Sequence, residues 1–133
     1  MSSENPKEIL NKIKSSILKN NYQIEINKNR KDNYNFKRKY ELKDKDLKKI
    51  LLDITEDDYY ETVNNYKKGY EYEKLHIFAP IIDIEKDEGE IKKVQLYTKF
   101  NIIEKEIEQG KIEYVIVISL HEAKKPIKCK SAL

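Results

Sequence analysis

The sequence predicts an α+β domain: two or three helices in the N-terminal half and an antiparallel three-strand meander at the C-terminal end. Three observations carry this. Tyr114 to Ile118 are five consecutive apolar residues rich in Val and Ile, the pattern of a strand buried on both faces. Lys93-Val-Gln-Leu-Tyr-Thr-Lys99-Phe alternates polar and apolar, the period of a strand with one wet face. Ile9, Leu10, Ile13, Ile17 and Leu18 recur at helical spacing behind Pro6, which suits a first helical turn.

The elements follow in order. Residues 6–20 read as an amphipathic helix, and Tyr22-Gln-Ile-Glu-Ile26 as a short strand. Residues 27–40 are polar and basic with interleaved aromatics, and are expected to be a loop. Leu42, Leu47, Ile50, Leu51 and Ile54 mark a second helix over 43–53. Thr55 followed by Glu56, Asp57 and Asp58 has the form of an N-cap with first-turn acids. It predicts a third helix carrying Tyr59, Tyr60 and Val63 and ending by Gly69. Leu75–Ile84 reads as a strand, with Pro80 at a bulge or edge. A turn at 86–89, a strand at 91–102, a connection at 104–110 and a strand at 112–121 complete the meander.

With 133 residues the chain forms one domain, residues 1–133, ending in a basic tail at 124–133. The N-terminus lacks the apolar core of a secretory signal, and no apolar run reaches the length of a membrane span, so a cytoplasmic location is expected. The single cysteine, Cys129, excludes an intrachain disulfide and a cysteine metal cluster. No cofactor and no metal are expected.

The net charge of +3 conceals a strong asymmetry. Residues 1–50 carry fourteen Lys/Arg against seven Asp/Glu, residues 51–90 four against twelve, and residues 91–133 nine against five. Basic ends around an acidic middle suggest one face that meets a polyanion and another that repels it. The tyrosine-dense acidic middle suits a protein-binding surface.

Alternation along the strand puts Lys93, Gln95, Tyr97 and Lys99 on one face, and Val94, Leu96, Thr98 and Phe100 on the other, against the helices. On the last strand the same rule groups Val115, Val117, Ser119 and His121. Placing His121 beside Tyr97 and Lys99 would assemble an RNA-cleaving face. An unperturbed histidine changes charge near neutrality, which makes the residue type of His121 suited to act as acid or base. Lys99, Lys93 and Lys124 can hold phosphate oxygens, and Tyr97 can stack on a base or relay a proton. The plain alternative is a solvated sheet face and a strand-end histidine bonded to a neighbour such as Glu122. His76, inside an apolar strand, reads as a half-buried structural histidine, and Glu56, Asp57 and Asp58 as capping acids rather than Mg²⁺ ligands. Arg30 to Tyr40, including Arg38, is a second candidate for contacting phosphates and bases.

Taken in order, Leu51-Leu-Asp-Ile-Thr-Glu-Asp-Asp-Tyr-Tyr60, Ile77-Phe-Ala-Pro80, Val94-Gln-Leu-Tyr-Thr-Lys-Phe100 and Val117-Ile-Ser-Leu-His-Glu-Ala123 resemble the MqsR-type toxins of bacterial toxin–antitoxin systems. The resemblance covers roughly residues 7–123. It implies a RelE-like fold, a curved antiparallel sheet with helices on one face. It further implies a metal-independent mRNA interferase, an endoribonuclease acting through the ribose 2′-OH and neutralised by a cognate antitoxin protein. The positions it carries over are Gln95, Tyr97, Lys99 and His121; with the reading of the residues above, the expected catalytic set is His121, Tyr97 and Lys99, with Lys93, Gln95, Arg38 and Lys124 binding RNA. Glu61 and Gln95 depart from the family's lysine and tyrosine. The rival reading is a non-catalytic protein- or RNA-binding inhibitor on the same scaffold, of phage or mobile-element type.

Overall fold

The structure, a computed structural model, describes residues 5–26, 30–86 and 89–129. Three helices pack on one face of a mixed sheet. Helix α1 (Pro6–Leu18) starts on Asn5, whose side-chain oxygen accepts from the Glu8 N–H at 2.9 Å. It ends with Asn20 at φ +62°, while the Asn21 N–H reaches back to the Ser16 carbonyl. This is the Schellman arrangement, in which Asn is tolerated because its short polar side chain suits the left-handed region. Strand β1 (Tyr22–Ile24) follows.

Residues 30–40 are not a loop. Lys31–Lys39 form helix α2, whose buried stripe is Asn33, Phe36 and, just past its end, Tyr40. That stripe runs at helical spacing but begins with a polar residue, which hides it from a reading by hydrophobicity. Residues 27–29 of the expected loop lie outside the described residues. Helix α3 (Asp44–Leu52) agrees with expectation and buries Leu47 and Leu51.

The predicted third helix is replaced by a strand. Thr55 does open a turn, and its N–H donates to the Asp58 carboxylate at 2.8 Å. The turn is only a 3-10 turn, Glu56–Asp58, before strand β2 (Tyr59–Asn64) begins. A capping sequence fixes where a turn starts and not how far it propagates. The β-branched and aromatic residues that follow favour the sheet once β3 is there to pair with.

Strands β3 (Lys74–Phe78) and β4 (Ile81–Lys86) both run antiparallel to β5 (Glu90–Ile107). Leu75 faces Asn101 and Ile81 faces Gln95, so the two keep a single register across the break at Ala79-Pro80. The expected strand through Pro80 is thus one line along β5, interrupted where proline removes a donor. Residues 87–88 of the expected turn lie outside the described residues. Strand β5 continues five residues beyond the expected end, and a two-residue turn leads to β6 (Gly110–Glu122). Gly110 there takes φ +133°, which side-chain-bearing residues rarely adopt.

The strand order is β1-β6-β5-β3-β2, with β4 also on β5. The meander β4-β5-β6 is present, but β1 runs parallel to β6, so the sheet is mixed and not antiparallel throughout. The core lies between the helices and the inner face. Ile13, Ile17, Phe36, Leu47, Leu51 and Ile54 meet Phe78, Leu96, Phe100, Val115, Val117 and Leu120 there. Among the described residues no helix is long and apolar enough to cross a membrane.

Candidate functional site

The site is created by a β-bulge. Phe100 pairs with Val117 and Lys99 with Ser119, which leaves Ile118 as an extra residue on β6. Strict alternation had put Val115, Val117, Ser119 and His121 on one face; the bulge corrects this. Val115 and Val117 face the core, Ser119 and His121 face outward, and Leu120 turns inward.

A buried amide stabilises the bulge. The side-chain nitrogen of Asn33 donates to the Glu25 carbonyl at 2.7 Å and the Ile118 carbonyl at 2.9 Å. Its side-chain oxygen accepts from the Leu120 N–H at 2.8 Å. Strand β1 supplies β6 with a partner up to Val117, and the Glu25 N–H still donates to the Val117 carbonyl. Beyond that point Asn33 takes over, satisfying backbone groups that the bulge takes out of the ladder.

The outer face then carries His121 directly across from Tyr97, their rings stacked at 5.5 Å between centroids and 28° between planes. His121 Nδ1 lies 2.8 Å from the Glu122 backbone carbonyl. A carbonyl only accepts, so Nδ1 carries the proton and Nε2 holds the lone pair in the neutral ring. The Glu122 side chain is engaged elsewhere, accepting from Tyr40 at 2.7 Å and Lys39 at 2.9 Å. Lys99 Nζ sits 5.7 Å from the Tyr97 ring centre. Burial, and then the Arg30 guanidinium, lower the Lys99 pKa. Burial, followed by the Glu61 carboxylate, raises that of Tyr97, so its hydroxyl stays protonated at neutral pH.

A cavity of about 230 Å³ adjoins His121, lined by Asp32, Asn35, Lys39, Glu122 and Lys124 among others. Lys124 pairs with Asp32 at 3.1 Å. That contact, against an opposing effect of burial, holds the Asp32 carboxyl below its usual range.

The predicted residues thus divide. His121, Tyr97 and Lys99 come together, and Lys124 lies at the rim. Gln95 does not present its amide to solvent. It donates to the Ile127 carbonyl and accepts the Ile127 N–H, at 2.7 and 2.8 Å, and so ties the tail across the outer face. Lys93 is paired with Asp83 at 2.9 Å on the β4-β5 hairpin. Arg38 bonds the Tyr34 hydroxyl and borders a separate hollow with Ile26 and Leu42. His76 is buried and bonded to Thr62, a structural role. Sequence reasoning missed Asn33, whose signal was its place on the stripe with Phe36 and Tyr40. Among the described residues no group of three or more His, Cys, Asp or Glu side chains is placed to hold a metal ion. No family model, curated protein or solved structure matches this chain.

Proposed function

We propose that this protein is a metal-independent endoribonuclease of the mRNA-interferase type, on a RelE-like scaffold and neutralised by an antitoxin protein. The observation that carries this reading is the Tyr97–His121 stack, with Nδ1 held by a backbone carbonyl and Nε2 left to act as a base. In the proposed reaction Nε2 takes the proton of the ribose 2′-OH, and that oxygen attacks the adjacent phosphorus. The bond to the 5′-oxygen breaks, leaving a 2′,3′-cyclic phosphate and a 5′-hydroxyl. Lys99 and Arg30 would hold the non-bridging oxygens, and the protonated Tyr97 hydroxyl is the donor for the leaving 5′-oxygen.

The rival reading is a non-catalytic binding protein on the same scaffold. It is favoured by the engagement of Lys93 and Gln95 by Asp83 and Ile127, which removes two members of the expected RNA-contacting row. One experiment separates them. Purified protein is incubated with a structured mRNA in EDTA, and the products are examined for cyclic phosphate ends. Cleavage by wild type that is lost in His121→Ala supports the ribonuclease. Intact RNA with wild type protein supports the binding protein.

A further inference from the structure

The acidic middle of the chain has a structural expression that the outer face does not use. Among the described residues strand β4 pairs along one edge only, with β5. The Leu96 N–H donates to the Pro80 carbonyl, so in this antiparallel register Ile82 and Ile84 point their backbone groups at β5. Ile81, Asp83 and Glu85 therefore point theirs the other way. On that side β2 accompanies β3 only as far as Tyr59, and the last backbone bond is the Ala79 N–H donating to the Asp58 carbonyl at 2.8 Å, with the Cys129 thiol against the Asp58 and Ala79 carbonyls. Among the described residues nothing continues that row beside β4.

The vacant row opens onto a groove of about 510 Å³ between β4 and α3. Its floor is apolar, with Leu42, Ile50, Ile82 and Ile84. Its rim carries Asp46, Asp53, Asp58, Asp83 and Glu85, with Lys49 among them and Lys93 bound to Asp83 at 2.9 Å from β5. Lys49 is itself paired with Asp53 at 2.8 Å. Ile81, at 61% exposure, stands on the outer side of the same edge.

We infer that this edge and groove form a docking site for an extended, basic segment of a partner protein, added as a strand beside β4 in line with β2. Main-chain bonds from Ile81, Asp83 and Glu85 would give affinity. Alternate apolar side chains of the guest would enter the floor, and its lysines or arginines would meet the carboxylates. The charge pattern decides between occupants. A second copy paired through β4 would set Asp83 and Glu85 against their own kind, which opposes pairing. A nucleic acid would be repelled by the same rim. The inference is independent of any ribonuclease activity.

The test uses the full chain and a synthetic peptide, acetyl-(Val-Lys)4-amide, with acetyl-(Val-Glu)4-amide as control. Binding is followed by labelled-protein NMR and amide exchange. The expected result is saturable binding of the lysine peptide with slowed exchange at the Asp83 and Glu85 N–H groups, and none with the glutamate peptide. Glu85→Lys should weaken binding at least about tenfold. It reverses an exposed charge, and a native spectrum for the variant confirms that it is folded. Perturbations that map to the His121 face, or an affinity unchanged by Glu85→Lys, would overturn the inference. So would protection of β4 that rises with protein concentration without peptide, because it assigns the edge to a second copy.

Discussion

The side-chain oxygen of Asn33 accepts the backbone N–H of Leu120 at 2.8 Å, and through this bond a helix decides which face of the sheet His121 occupies. Without the bulge that Asn33 bridges, alternation from Val117 would carry His121 to the core side, away from Tyr97.

Asn33→Leu should therefore cost about 2–4 kcal/mol in urea unfolding, since it strands buried backbone groups of Ile118 and Leu120 as well as losing three hydrogen bonds. A purely structural role would stop there. Loss of positioning also moves the His121 ring proton resonances downfield, out of the shielding region of Tyr97. Unchanged His121 resonances in a folded variant would refute the positioning role.

Gln95 grips both backbone groups of Ile127, and two residues later the Cys129 thiol lies buried against the Asp58 and Ala79 carbonyls. Burial raises the thiol's pKa, which further slows its reaction. Gln95→Ala removes the grip, and local release of the tail should speed modification of Cys129 by a thiol reagent roughly tenfold. Cys129 is the only cysteine, so the assay reads this site alone. Equal rates in the two proteins would mean that Cys129 itself anchors the tail.

Glu122 gives a pH dependence. Burial pushes its carboxyl upward, but hydrogen bonds from Tyr40 and Lys39 outweigh this and hold it below the usual value of 4.5. A depressed carboxyl contributes stability that is complete above its unfolded value and is lost as pH falls through the folded one. Wild type should exceed Glu122→Gln by about 1 kcal/mol at neutral pH. The gap should close in acid, as denaturant melts across that range would record. A constant gap would assign the effect to packing.

Glu41 sits past the end of α2 at φ +51°, with the Leu42 N–H bonded to the Lys37 carbonyl at 2.9 Å. This left-handed position favours glycine. Glu41→Gly should raise stability by up to about 1 kcal/mol, visible as a higher melting temperature. A lower one would show that the carboxylate contributes more than the backbone strain costs.

The sequence by itself determined the helices from Pro6 and over 43–53, the two long C-terminal strands, and the outward row of Lys93, Gln95, Tyr97 and Lys99. Each is set by periodicity, and periodicity is local. Tertiary structure decided the rest. Tyr59 to Asn64 became a strand because β3 offered a ladder, though a cap preceded it. Residues 31–39 became a helix because Asn33 and Phe36 found buried partners, although most of its side chains are polar. The parallel pairing of β1, the bulge at Ile118 and the tail on Gln95 all join residues tens of positions apart. No window of sequence contains both partners of such a bond. Hence the candidate residues could be named from the chain, but their assembly into one site depended on an asparagine eighty-five or more positions away from the groups it holds on β6.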